Sequence, residues 1–394
     1  MNLKLFKRLV VIEISVLIIF LSLLGCEHKE QLPMTSPEPS ASDLNSAPLE
    51  QSEKELRGEF TFGHFNEHEA LRLVKAFNEK HPGVKINVKI KRGVITYAWE
   101  QPIPDIIALE TAFVKRWVNM QEGLEDLSSP PYNAEELTSQ MIPFTVDVGR
   151  GKDGKIKALA FGATPGAIGY KRDIARKYLG TDDPDAISEM LSSTEKIIET
   201  AKKLKENSGG KVRLIPSINE LTSVYLGGRS QGWVVEDELY IDPLMYEYVN
   251  LQKQLRDMGQ DGGLEPWSPQ WSDAVADDIH FMYAVPTWGI RYIIEVNDTA
   301  NKDTGRWGLA KPTYPYFWGG TWYGIVKESE PERKKLAWEF LKFLCTDMGF
   351  LESCAELYGE FVNNMELLEK LSKDDRFINK TINQNPYEFF TQEY

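Results

Sequence analysis

The apolar positions divide the chain into three stretches of different character. Leu9 to Leu24 is an almost uninterrupted apolar run of sixteen residues, broken only by Glu13, Ser15 and Ser22. A membrane-spanning helix needs about 20 such residues. This shorter run follows Lys4, Lys7 and Arg8 and predicts a cleavable leader over residues 1–25. From residue 26 to 57 periodicity vanishes among Pro33, Pro37, Pro39, Pro48, serines and charges. Such a stretch cannot bury enough surface to offset the entropy of ordering, and it reads as a flexible tether.

From residue 58 onward the pattern becomes regular. Phe60 and Phe62 alternate with Glu59, Thr61 and Gly63 as a strand, and Ala70, Leu71, Val74 and Phe77 recur at helical spacing. His81-Pro82-Gly83 stops that helix. Val84, Ile86, Val88 and Ile90 alternate as a second strand, and Ile106-Ile107-Ala108-Leu109 is a continuous apolar run suited to a strand covered on both faces. A similar cycle starts near residue 167, with a strand at Ile168-Gly169-Tyr170 and a short helix over Asp173–Tyr178. Ser192 with Glu195 predicts a capping box ahead of Ile197, Ile198, Ala201 and Leu204, and Gly209-Gly210 closes that helix. Ser329, Pro331 and Glu332 predict the start of a helix through Leu336, Phe340 and Leu344. Strands alternating with helices imply an α/β fold with mainly parallel sheets and helices on both faces.

Charge and cysteine usage narrow the function. The formal net charge is −14, and it becomes −16 once Lys4, Lys7, Arg8 and Glu13 leave with the leader. That balance argues against nucleic-acid binding, which needs a basic footprint. It also argues against electrostatic adhesion to anionic lipid. The leader ends in Leu23-Leu24-Gly25-Cys26, which resembles a bacterial lipobox, so Cys26 is the expected site of lipidation and membrane attachment. A single acyl chain binds weakly, and stable anchoring calls for two or three. Cys345 and Cys354 then remain, open either to one disulfide or to two buried thiols.

A series of motifs in consistent order carries a resemblance. They are His64-Phe65-Asn66-Glu67, Pro104 to Leu109, Pro165 to Asp173, Ala284-Val285-Pro286-Thr287-Trp288-Gly289, Gly319 to Ile325, and Ala337 to Leu344. The series resembles the extracellular solute-binding proteins of ABC importers, the family that contains maltose-binding protein, over nearly all of residues 58–360. The resemblance implies a two-lobed, type II periplasmic-binding-protein-like fold whose lobes are joined by hinge segments, with ligand in the cleft. It places the crossings near Phe161–Ile168 and Trp318–Ile325, lobe one at 58–164 plus 321–360, and lobe two at 165–320 plus 361–394. It implies a monomeric receptor, lipid-anchored on the outer face of the cytoplasmic membrane, that hands its ligand to the transmembrane permease subunits. It calls for no cofactor and no metal.

Aromatic usage points to a sugar, whose flat C–H faces stack on rings while its hydroxyls bond carboxylates and amides. Eight of the ten tryptophans fall between Trp233 and Trp338, so the second lobe is enriched in them. Trp267, Trp271, Trp288, Trp318 and Trp322 sit among glycines and prolines, where loops are expected. Tryptophan is also a frequent core residue, so cleft and core both remain open for each. Trp288, Trp318 and Trp322 are carried as ligand candidates, the first two by their match to the family's cleft positions. Ligands in open α/β sheets bind beyond the carboxyl ends of strands. That rule selects Asn66, Glu67 and Glu110, with Asn66 equally readable as a helix cap. Asn219, Glu220 and Tyr225 are the candidates from the second lobe.

Two enzyme signatures also occur. His64-Phe65-Asn66-Glu67-His68 fits a zinc-peptidase pattern, but zinc needs both histidines on one helical face, and this stretch spans a strand-to-helix turn. Gly228-Arg229-Ser230-Gln231-Gly232 fits a nucleophile elbow, with His280 downstream, but Trp233-Val234-Val235 continues it as strand rather than helix. A surface-anchored serine or zinc hydrolase is therefore the rival to the binding reading, and a sugar sensor without transport is a third.

Overall fold

The computed structural model describes residues 55–91, 99 and 101–392, so the expected leader, Cys26 and the expected tether up to residue 54 lie outside the described residues. Two sheets organise the body. The first has the order β2-β1-β3-β9, with β1 at Gly58–His64, β2 at Val84–Ile90, β3 at Ile106–Glu110 and β9 at Thr321–Ile325. β1 runs parallel to β2 and β3, and β9 pairs antiparallel with β3 from Ile106↔Ile325 to Glu110↔Thr321. The apolar run of β3 is explained by its two faces. Ile106 and Ala108 enter the core beneath Phe60, Phe62 and Phe340, while Ile107 and Leu109 pack with Val114, Trp117 and Trp322. Asp105 fixes the register of β1 against β3, because its Oδ2 accepts from both the N–H and the hydroxyl of Thr61 at 2.7 Å. Helix Glu67–Lys80 joins β1 to β2 and buries Ala70, Leu73 and Phe77.

The second sheet has the order β7-β4-β8, with β4 at Gly166–Lys171, β7 at Met282–Pro286 and β8 at Trp307–Ala310. β5 at Val234–Val235 and β6 at Glu238–Leu239 form a separate hairpin. Both neighbours of β4 run antiparallel to it, against the expectation of mainly parallel sheets. Parallel pairing in this half is reduced to isolated bridges at Arg213↔His280 and Ile215↔Asp261. Double-sided burial sets an apolar composition, whereas strand direction depends on where the chain re-enters the sheet, which composition does not encode.

Helix starts differ from the sequence reading by small shifts. Ser193, not Ser192, caps helix Thr194–Ser208, accepting from Lys196 N, while the Ser192 hydroxyl donates to Glu189 O. Helix Pro331–Thr346 has Glu330 at its cap position with no side-chain bond, so Ser329 does not cap it. Proline at the first helical position supplies the preset φ and needs no N–H partner there.

Three extended segments lie side by side between the sheets. Tyr323 and Leu159 exchange backbone bonds of 2.7 and 3.0 Å, Trp318 N donates to Thr164 O at 3.1 Å, and Gly166 N donates to Tyr316 O at 2.9 Å. A β-carbon on Gly166 would fall 2.1 Å from the Tyr316 ring, so only glycine fits there. The third segment comes from the C-terminus, where Ala163 N donates to Phe361 O and Asn363 N to Phe161 O. Asn363 is buried, with its Oδ1 accepting from Ile142 N and its Nδ2 donating to Thr145 Oγ1 and Ala160 O, each at 2.8 Å. Residues beyond it touch both halves. Met365 N bonds Gln140 O, whereas Thr381, Ile382 and Gln384 bond Trp307, Arg172 and Leu309.

Cys345 and Cys354 are buried free thiols, which resolves the alternative left by the sequence. Among the described residues, no helix is long and apolar enough to cross a membrane.

Candidate functional site

The parallel pairing of β1 and β3 brings their carboxyl ends to one edge of the first sheet. Asn66 and Glu67 are exposed just past β1. The Asn66 side chain accepts from Glu69 N at 3.1 Å, so it does cap the helix that follows. Glu110 ends β3, and its Oε2 accepts from Ala112 N at 2.9 Å, leaving the other carboxylate oxygen outside that bond. Partial burial raises the Glu110 carboxyl above its ordinary range, and the backbone bonds at Ala112 and Thr111 oppose that shift.

Glu110 connects to the tryptophans through two glycines. The Thr111 hydroxyl donates to Gly319 O, as does the Thr164 hydroxyl at 2.9 Å, and Thr111 N donates to Gly320 O at 3.2 Å. Gly319 and Gly320 have φ values of 73° and 105°, a backbone region that favours glycine. A β-carbon on Gly319 would stand 3.1 Å from Trp288 Nε1. This close approach lets the Trp288 indole donate to Trp318 O at 2.9 Å. Trp288 itself follows β7 directly, where the Thr287 hydroxyl donates to Ala163 O, and a π-helical turn over Ile290–Glu295 comes next.

The indoles form a cluster. Trp288 and Trp318 lie 5.3 Å apart at 63°, and Trp267 stacks on Trp288 at 6.0 Å and 23° and meets Trp318 at 5.8 Å. Trp271 lies below Trp267 at 5.1 Å and is buried. Its indole N–H donates to Glu220 Oε1 at 2.5 Å, and Glu220 Oε2 accepts from Ala284 N at 3.2 Å. Burial pushes the Glu220 carboxyl up to about 7.

The sequence candidates therefore separate. The bonds of Thr111 to Gly319 and Gly320 link the segment bearing Glu110 to the one that meets Trp288 and carries Trp318, and Asn66 and Glu67 follow the strand that pairs with the strand of Glu110. Asn219 is exposed beside Glu220, while Glu220 is buried and supports the cluster from behind. Tyr225 and Trp322 are core residues instead. The Tyr225 hydroxyl pairs with Thr194 at 2.6 Å and its ring stacks on Tyr248, while Trp322 donates to Thr145 O at 2.8 Å beneath β3. Both lack an open ring face. Trp267 was not among the site candidates. Its signal was the proline-flanked turn Pro266-Trp267-Ser268-Pro269, which projects a bulky ring from a loop.

Neither enzyme signature assembles. His64 is buried at the end of β1, where its Nδ1 accepts from Asn66 N at 2.9 Å, while His68 is exposed on the following helix. Ser230 donates to Asp242 in a turn between helix Thr222–Gly227 and β5, and His280 pairs with Asp277.

The model of the family described as bacterial extracellular solute-binding protein matches residues 72–362. Solved structures share the fold. One titled extracellular solute-binding protein family 1 superimposes with a TM-score of 0.71 at 19% identity, covering 84% of this chain and 86% of that one. The galacto-N-biose/lacto-N-biose I-binding protein of a Bifidobacterium longum ABC transporter, in complex with lacto-N-biose, gives 0.64 at 16% identity, covering 85% and 84%. The sugar-binding protein MalE of Xanthomonas citri gives 0.64 at 15% identity, covering 85% and 90%.

Proposed function

The chain belongs to the bacterial extracellular solute-binding proteins, and on that premise we propose that it captures a carbohydrate outside the cell and delivers it, unaltered, to the permease of an ABC importer. The ligand lies in a cleft between lobe one (58–164 plus 321–360) and lobe two (165–320 plus 361–394), and the lobes close about the crossing segments. Cys26 carries the lipid that holds the monomer at the outer face of the cytoplasmic membrane. One observation carries the reading: the Trp267–Trp288–Trp318 cluster is tied to the segment bearing Glu110 through Gly319 and Gly320. Aromatic faces beside a partly buried carboxylate suit an uncharged polyol with apolar faces, because the rings take its C–H surface and the carboxylate its hydroxyls. Sugar-binding proteins among the structures that share the fold support the same class.

The test is a thermal-shift and calorimetric screen of the purified chain against a glycan panel, with scattering to follow closure. A ligand present at a hundred times its Kd stabilises the folded state by about 2.7 kcal/mol. A chain that binds no glycan, or that turns over chromogenic esters, peptides or glycosides, overturns the proposal.

A further inference from the structure

Trp267 occupies a backbone conformation that tryptophan rarely adopts. Its φ is 66°, in the left-handed region, where a bulky side chain is a genuine outlier. Strain of this kind persists only where the surroundings hold it, and it concentrates at binding sites. Here the surroundings are specific. Leu264 N donates to Pro216 O at 3.0 Å and Ser268 N to Glu265 O at 3.1 Å, while the Ser268 hydroxyl accepts from Trp271 N at 3.2 Å to cap helix Pro269–Ala276. The turn is thereby pinned on both sides of the strained residue.

The strain places the ring where a relaxed turn would not. One face of Trp267 lies on Trp288, yet the residue is 53% exposed. Trp288 and Trp318 are more buried and have Trp267 against them. The aromatic face offered to a ligand is therefore that of Trp267, with Trp288 and Trp318 as its floor and Trp271, held by Glu220, against the ring itself. Trp288 contacts the Gly319 segment that Thr111, next to Glu110 in the chain, holds, and Trp267 packs on the solvent side of both Trp288 and Trp318 as the most exposed ring of the three.

We propose that Trp267 is the specificity-determining residue of the site: it stacks on an outer unit of the sugar and makes the protein a receptor for oligosaccharides rather than monosaccharides. Trp288 and Trp318 are positioning residues for it. This rests on the carbohydrate-binding reading above.

The experiment is calorimetry on the purified wild-type chain, Trp267→Gly and Trp267→Phe with glucose, maltose, maltotriose, lacto-N-biose and β-1,6-galactobiose, alongside melting curves without sugar. The wild type should bind at least one of the oligosaccharides. Trp267→Gly should weaken that binding roughly tenfold or more, as truncation of a central aromatic anchor does. It should weaken any glucose binding by a clearly smaller factor, and Trp267→Phe should restore most of the oligosaccharide affinity. Relief of backbone strain offsets lost ring packing, so the glycine variant should melt within about 2 °C of wild type. Equal oligosaccharide affinity in wild type and Trp267→Gly overturns the proposal, as does an equal loss for glucose, a glucose-only wild type, or a large fall in melting temperature. A wild type that binds none of the five sugars overturns the carbohydrate reading itself, and the assignment to Trp267 with it.

Discussion

Glu220→Gln tests how the floor of the aromatic cluster is built. In the folded protein the carboxyl ionises near about 7, because it is buried behind Trp271, whereas its ordinary value is 4.5. Between those values the folded state keeps a proton that the unfolded state has lost. The stabilisation is therefore complete below the unfolded value and disappears as pH rises through the folded one. At about 1.4 kcal/mol per pH unit, this single group removes roughly 3 kcal/mol of stability between pH 4.5 and 7. Glutamine cannot ionise. Its carbonyl can still accept from Trp271, but its amide group would face Ala284 N. Absolute stability thus gains at high pH from the removed charge and loses from the mismatched donor, so the slope is the quantity to measure. Urea unfolding at pH 5 and pH 8 should show the drop in free energy shrink by roughly 3 kcal/mol in the variant. Burial also pushes Glu360 up to about 7, so a residual slope of the same sign should persist. Identical slopes in wild type and variant would refute this account of Glu220.

Four further outcomes are expected. Asn363→Ala leaves Ile142 N and Ala160 O without partners in the interior and should cost about 3 kcal/mol in urea unfolding. Trp322→Phe and Tyr225→Phe should lower stability, by about 1–3 kcal/mol for the first, which loses the indole bond to Thr145 O and part of the ring's packing, and both should leave sugar affinity unchanged by calorimetry. Cys345 and Cys354 should resist alkylation in the native protein and react once it is unfolded, and a reductant should leave the melting temperature unchanged. Cys26→Ala should release the protein from the membrane fraction and abolish acyl incorporation.

Much of the first sheet was legible because its signals are local. The run at Ile106 to Leu109 has a composition that double-sided burial requires, and Asn66 sits where a cap is needed. The second sheet was less legible, because β7 and β8 are apolar whichever way they run. Ser192 and Ser193 are adjacent hydroxyls, and only the helix start distinguishes them. In the site, Trp322 was misplaced because the glycines before it suggested a loop, whereas it lies inside β9 with its indole N–H satisfied in the core. Glu220 carries no cue to its burial, since that depends on Trp271 and Ala284, distant in sequence. Trp267 stands in a proline-flanked turn that the sequence does show, but its left-handed φ and its packing on Trp288 and Trp318 emerge only in the fold.

Strand β9 sits against β3 at the edge of the first sheet, although more than two hundred residues separate them in the chain. During synthesis the ribosome must therefore release most of the polypeptide before that sheet acquires its last member. Contacts so distant in sequence slow folding. The first sheet is therefore completed only once nearly all of the chain is free to fold, and every residue between β3 and β9 must find its place around an unfinished edge.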